Sequence, residues 1–151
     1  MPGGLFVLQS SAGFEIGFPD VAYDADQQTT FQDLVKDDGN SIFAGLTMAD
    51  VFIYAMALGV KHNTPKPLTK RIPYMPPEAF SENMRWLMRS VAILDSEDLE
   101  IFIDHSKVVK IAETFANGGM QYLLKMINER VSGEDIESIF ETALRKEIKN
   151  S

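Results

Sequence analysis

The first apolar pattern along the chain has the period of strands. Residues 5–8 (LFVL) form a short continuous apolar run, and Phe14, Ile16 and Phe18 recur at every second position. Period two marks a strand with one buried face. A Ser/Gly turn separates the runs, so they predict a small N-terminal β-hairpin, which needs a further layer to pack on. Residues 19–28 (PDVAYDADQQ) read as loop. From there the spacing becomes helical. Phe31, Leu34 and Val35 mark a short helix that 37–41 (DDGNS) stops. Residues 47–59 (TMADVFIYAMALG) carry the clearest helix: Thr47 and Asp50 have capping-box spacing, Met48, Val51, Phe52, Ala55 and Met56 share a face, and Gly59 is a natural stop.

Pro76 and Pro77 suit a helix start, with Phe80, Met84, Leu87, Met88 and Val91 at helical spacing after them. Asp95 is placed to cap a short helix over 96–104. Ser106 is placed to cap another over 107–116, which Asn117, Gly118 and Gly119 are expected to end. Residues 120–130 resume after that break. Ser132 and Asp135 form a second capping box, and Ile136, Ile139, Phe140, Ala143 and Leu144 stripe a last helix. The fold class expected is mainly α: one compact multi-helix domain over 1–151 with a small N-terminal β-hairpin. Residues 1–26 form the extended lead-in and 27–151 the helical body, interrupted by a Pro-rich linker at 61–75.

Composition adds bounds. At 151 residues, 45% of them hydrophobic, the chain can bury about two-thirds of its unfolded surface. It has no cysteine, which excludes disulfides, thiolate metal sites and cysteine nucleophiles. No apolar run approaches the ~20 residues of a membrane span, and the N-terminal residues lack the positive region of a secretory signal. The chain reads as a soluble cytoplasmic protein with no membrane association.

Charge changes the picture more. The net charge is -8, yet residues 51–90 carry six bases and two acids. Within them, residues 59–77 (GVKHNTPKPLTKRIPYMPP) hold four cations, one histidine, five of the seven prolines and no acid. Lys61, His62, Lys66, Lys70 and Arg71 line this strip. Arg85 and Arg89, four apart on the following helix, share a face that would extend it. These seven residues are the candidate binding site. Phosphates are the natural counterpart, through counterion release, and Tyr74 and Trp86 would add stacking on an exposed base. DNA or an acidic protein is the partner expected. Binders of DNA are usually basic overall, and an acidic body argues equally for a protein partner.

Catalytic motifs are missing. Residues 117–119 (NGG) lack the lysine and spacing of a phosphate loop, and there is no G-x-S-x-G. The segment from Asp24 starts like a calcium loop but has Thr29 and Val35 where glycine and glutamate are required. His105 and His62 cannot by themselves make a multi-histidine site. No catalytic residue, metal or cofactor is assigned. The alternative reading is a small metal-dependent nuclease or phosphate-processing enzyme built on Asp95, Asp98 and Asp104. A further alternative is a homo-oligomer in which the basic strip meets a neighbour's acidic segment.

The stretches GNSIFAGLTMADVFIYAMALGVKHN and FANGGMQYLLKMI resemble a small family of accessory proteins found with DNA phosphorothioation (DNA sulfur modification) systems. The shared pattern is a polar cap, a hydrophobic DVFIYAMALG helix, a basic loop and a later Ala-Asn-Gly-Gly, across residues 39–128. The resemblance implies a non-enzymatic accessory or adaptor role beside DNA modification or restriction of foreign DNA. It carries over no catalytic residues.

Overall fold

The computed structural model describes residues 17–36 and 46–129, and further on residues 141, 142, 144–146, 148 and 149. Strand β1 (Val21–Asp24) leads through a 3-10 turn (Ala25–Gln27) into helix α1 (Gln28–Leu34). Helix α2 (Met48–His62), strand β2 (Arg71–Met75), helix α3 (Glu82–Ser96) and helix α4 (His105–Glu129) follow, with 3-10 turns at Pro77–Ala79 and Leu99–Ile103. The described residues 141–149 are helical too, and Arg145 pairs with Glu141 one turn earlier at 2.6 Å. Among the described residues no helix is long and apolar enough to cross a membrane.

Helix α2 starts where its sequence says. The Asp50 amide donates to Thr47 Oγ1 at 3.1 Å and the Thr47 amide donates to the Asp50 carboxylate at 2.9 Å. These reciprocal bonds satisfy donors that the first turn leaves open. The helix then runs past Gly59 to His62, and Asn63 ends it with φ of 51°, a left-handed conformation asparagine tolerates. Gly59 is therefore interior. A Cβ there would lie 2.0 Å from the Phe115 carbonyl oxygen.

The same contact explains α4, which continues unbroken through Asn117, Gly118 and Gly119 where a stop was expected. Two glycines weaken a helix by about 1 kcal/mol each relative to alanine. Here all three residues are buried, and a Cβ on Gly119 would sit 1.8 Å from the Ala55 carbonyl oxygen. Glycine is kept because α2 and α4 touch backbone to backbone, and that packing overrides local propensity. Phe52, Ala55, Met56, Val108, Val109, Ala112, Phe115, Ala116 and Met120 form the centre of the core around this crossing.

The remaining boundaries shift for local reasons. Pro77–Ala79 is a 3-10 turn, and Ser81 caps α3 by accepting from the Met84 amide at 3.2 Å. Asp95 lies inside α3, whereas Asp98 caps the next turn by accepting from Glu100 at 2.9 Å. The small antiparallel sheet near the N terminus exists, in a mainly helical chain, but its strands are β1 and β2. Residues 21–24 and 71–75 had read as loop and linker. Of the strands expected at 5–8 and 14–18, only Gly17 and Phe18 are described, and neither is in a strand. The stop at 37–41 and the Ser132–Asp135 capping box lie outside the described residues.

Candidate functional site

The middle of α4 holds the chain that precedes β2. After Asn63 the residues of this connector form no regular structure until Arg71, and their backbone groups need partners. Helix α4 supplies them. The Lys66 amide donates to the Thr114 carbonyl at 2.9 Å. Asn117 Nδ2 donates to the carbonyls of Lys66 and Pro67 at 3.0 and 3.3 Å. Thr64 Oγ1 donates to the Gly118 carbonyl at 3.4 Å, and a Cβ on Gly118 would lie 1.5 Å from the Thr64 carbonyl oxygen. Glycine at 118 is what lets the connector lie on the helix.

The far end of the connector is fastened by two buried carboxylates. Asp24 accepts from the Thr69 amide at 2.9 Å, from Thr69 Oγ1 at 3.1 Å and from the Asp26 amide at 3.3 Å. These bonds, the Thr69 amide foremost, hold its pKa below the usual carboxylate value against the opposing effect of burial. Glu113 receives Arg71 in a two-pronged pair, Nε and Nη2 each at 2.8 Å, and accepts the Ala22 amide at 2.8 Å. Ala22 faces Pro73 across the sheet, and its N–H turns to the helix. The Glu113 hydrogen bond raises the Arg71 pKa.

This geometry sorts the seven candidate residues. Lys66 and Lys70 are exposed on the pinned connector. Lys61 and His62 are exposed on the last turn of α2, where the His62 ring stacks on Tyr122 at 3.8 Å. Arg71 fastens β2 to α4. Arg85 and Arg89 do not extend the strip, because both are buried. Arg85 donates to the carbonyls of Phe80 and Pro77 and so ties the start of α3 to the turn before it. Arg89 packs its guanidinium 4.7 Å from the Trp86 ring and 5.6 Å from Phe18, and burial lowers its pKa. The i,i+4 spacing placed the two arginines on one face, and that face points inward.

The acidic candidates do not converge. Asp95, Asp98 and Asp104 are exposed. Asp98 caps its turn, and Asp104 accepts from the Lys107 amide at 3.2 Å. Among the described residues no three His, Asp or Glu side chains come together as a metal group would require. His105 begins α4, and its ring lies 5.6 Å from Phe18. Sequence reasoning missed Asp24, Glu113 and Asn117. The signal available was a polar residue on the apolar face of a helix: Glu113 and Asn117 are four apart, as on one face of α4.

The family model described as DNA sulphur modification system-associated protein 4 matches residues 21–150. No curated protein and no solved structure matches the chain.

Proposed function

Because the chain belongs to the family of DNA sulphur modification system-associated protein 4, we propose that it is a non-enzymatic accessory module of such a system that docks the phosphate backbone of DNA through its basic connector. One observation carries the reading. The connector is bonded along its backbone to α4 and to Asp24, while the side chains of Lys66 and Lys70 are exposed. Ordering a loop on binding costs free energy that a preformed loop does not pay, and its prolines restrict it further. Lys61 and His62 at the adjoining helix end complete the set. The buried Asp24, Glu113 and Asn117, with the partly exposed Arg71, are engaged in holding the connector.

The test is binding of the full chain to duplex and single-stranded DNA at several salt concentrations. Affinity is expected to fall with salt, and Lys66→Ala and Lys70→Ala are each expected to lower the salt slope by about one. Both side chains are exposed, so the unfolding midpoint should not move. Absence of binding to either form at low salt would overturn the DNA reading and leave an acidic protein as the partner to test.

A further inference from the structure

A second surface has the opposite character. Trp86, Leu87 and Leu94 lie within about 100° of arc on α3, at 100° per residue, and all three are exposed, Leu94 at 71%. The 3-10 turn after α3 adds Leu99 at 72%, Ile103 at 69%, and Phe102, whose ring stacks with Trp86 at 6.5 Å. Scattered apolar residues on a surface are ordinary, whereas contiguous ones mark interaction sites. The aromatic anchor is also fixed from beneath by the buried guanidinium of Arg89, and a rigid aromatic is the kind of residue on which interfaces concentrate binding energy.

Charge identifies what covers this face. Residues 78–104 contain seven acids and two bases. Every acid is exposed and both bases are the buried Arg85 and Arg89. Along the chain Asp95, Glu97 and Asp98 separate Leu94 of α3 from Leu99, and Glu100 lies within the turn itself. Lys107, the next cation along the chain, is already within 3.9 Å of Asp104. We propose that the face formed by α3 and the Leu99–Ile103 turn docks a basic amphipathic helix of a protein partner, its apolar stripe on Trp86, Leu94 and Leu99 and its lysines or arginines against the acidic rim. Charge complementarity of this kind sets partner choice and encounter rate. The observation is independent of the basic connector, which lies on other elements.

Trp86 is the chain's single tryptophan, so its emission reports on this face. The probe is a synthetic helix of leucine on one side and lysine on the other. Two controls accompany it: a scrambled peptide of equal composition, and one with glutamate for every lysine. The amphipathic lysine peptide is expected to bind the full chain and shift Trp86 emission to shorter wavelength, more weakly as salt rises. Both controls should leave the emission unchanged. Leu94→Ser with Leu99→Ser is expected to weaken binding about tenfold or more. Both residues are exposed, so the double variant should remain folded, which circular dichroism checks. Equal binding of scrambled and amphipathic peptides, or unchanged affinity of the folded double variant, would overturn the proposal. So would emission that shifts with protein concentration alone, which assigns the face to a second copy. Emission that becomes peptide-responsive only after removal of residues 1–16 would overturn it in favour of the chain's own N-terminal segment.

Discussion

Asp24 shows how a buried charge is retained in this protein. A carboxylate taken out of water is costly unless several donors replace its hydration, and Asp24 has the Thr69 amide, the Thr69 hydroxyl and the Asp26 amide. Its folded-state pKa is lowered, so the unfolded chain takes up the proton first as pH falls. The stability it contributes is therefore complete above its unfolded value of about 4 and is lost as pH drops through that value towards the folded one. Urea unfolding from pH 7 to pH 3 tests this through Asp24→Asn, which should be less stable than the parent at pH 7. The gap should narrow below about pH 4, where the parent loses this contribution and the variant has none to lose. Parallel profiles across that window would contradict the assignment. The same logic separates the arginines. Arg71 was legible as a cation, but its carboxylate partner lies 42 positions away on α4, and sequence spacing carries no information at that range. Arg85 and Arg89 were misread because arginine usually lies outside, and a carbonyl or an aromatic ring that admits one to the interior leaves no local trace.

At the scale of elements, what was legible is what is decided locally. The α2 start is written in Thr47 and Asp50, and of the residues expected to face inward Val51, Phe52, Ala55 and Met56 are buried and Met48 partly so. The two strands were not legible: β1 has four residues and is buried at every position, so it shows no alternation, and β2 contains Pro73, a residue confined to sheet edges and bulges. The sheet has two strands, and the register shifts between Val21 and Ala22. Residues 117–119 were misread for a related reason. Glycine ends helices by local preference, but Gly118 and Gly119 serve contacts with the connector and α2 that appear only once the chain is folded. This distinction is measurable. By propensity Gly119→Ala would stabilise α4 by about 1 kcal/mol. By packing, the new methyl meets the Ala55 carbonyl and the Gly59 amide nitrogen, backbone atoms that cannot turn aside, and such overpacking costs about 1–3 kcal/mol or more. Packing is expected to win, with a lower urea midpoint for Gly119→Ala. A raised midpoint would mean that the α2–α4 crossing relaxes freely.

For the molecule as a whole, α4 joins the core to the proposed DNA surface: one face of the helix packs on α2, and Thr114, Asn117 and Gly118 hold the connector. If the value of the connector lies in being preformed, loosening it should weaken DNA binding without removing any cation. Asn117→Ala does this. It deletes the donors to the Lys66 and Pro67 carbonyls, while the bond from Gln27 Nε2 to the Asn117 carbonyl involves backbone and remains. Two bonds at roughly 0.5–1.5 kcal/mol each make a stability loss of about 1–3 kcal/mol. Affinity for DNA, measured well below the unfolding temperature of the variant, should fall at every salt concentration. The salt slope should stay at the parent value, because that slope counts neutralised phosphates and every lysine is still present. Lys66→Ala should give the complementary result, a lower slope on an unchanged fold. Parent-like DNA affinity in a measurably destabilised Asn117→Ala would show that the connector works as a carrier of charges alone. A parallel drop at constant slope ties the buried asparagine of α4 to the basic surface through backbone order.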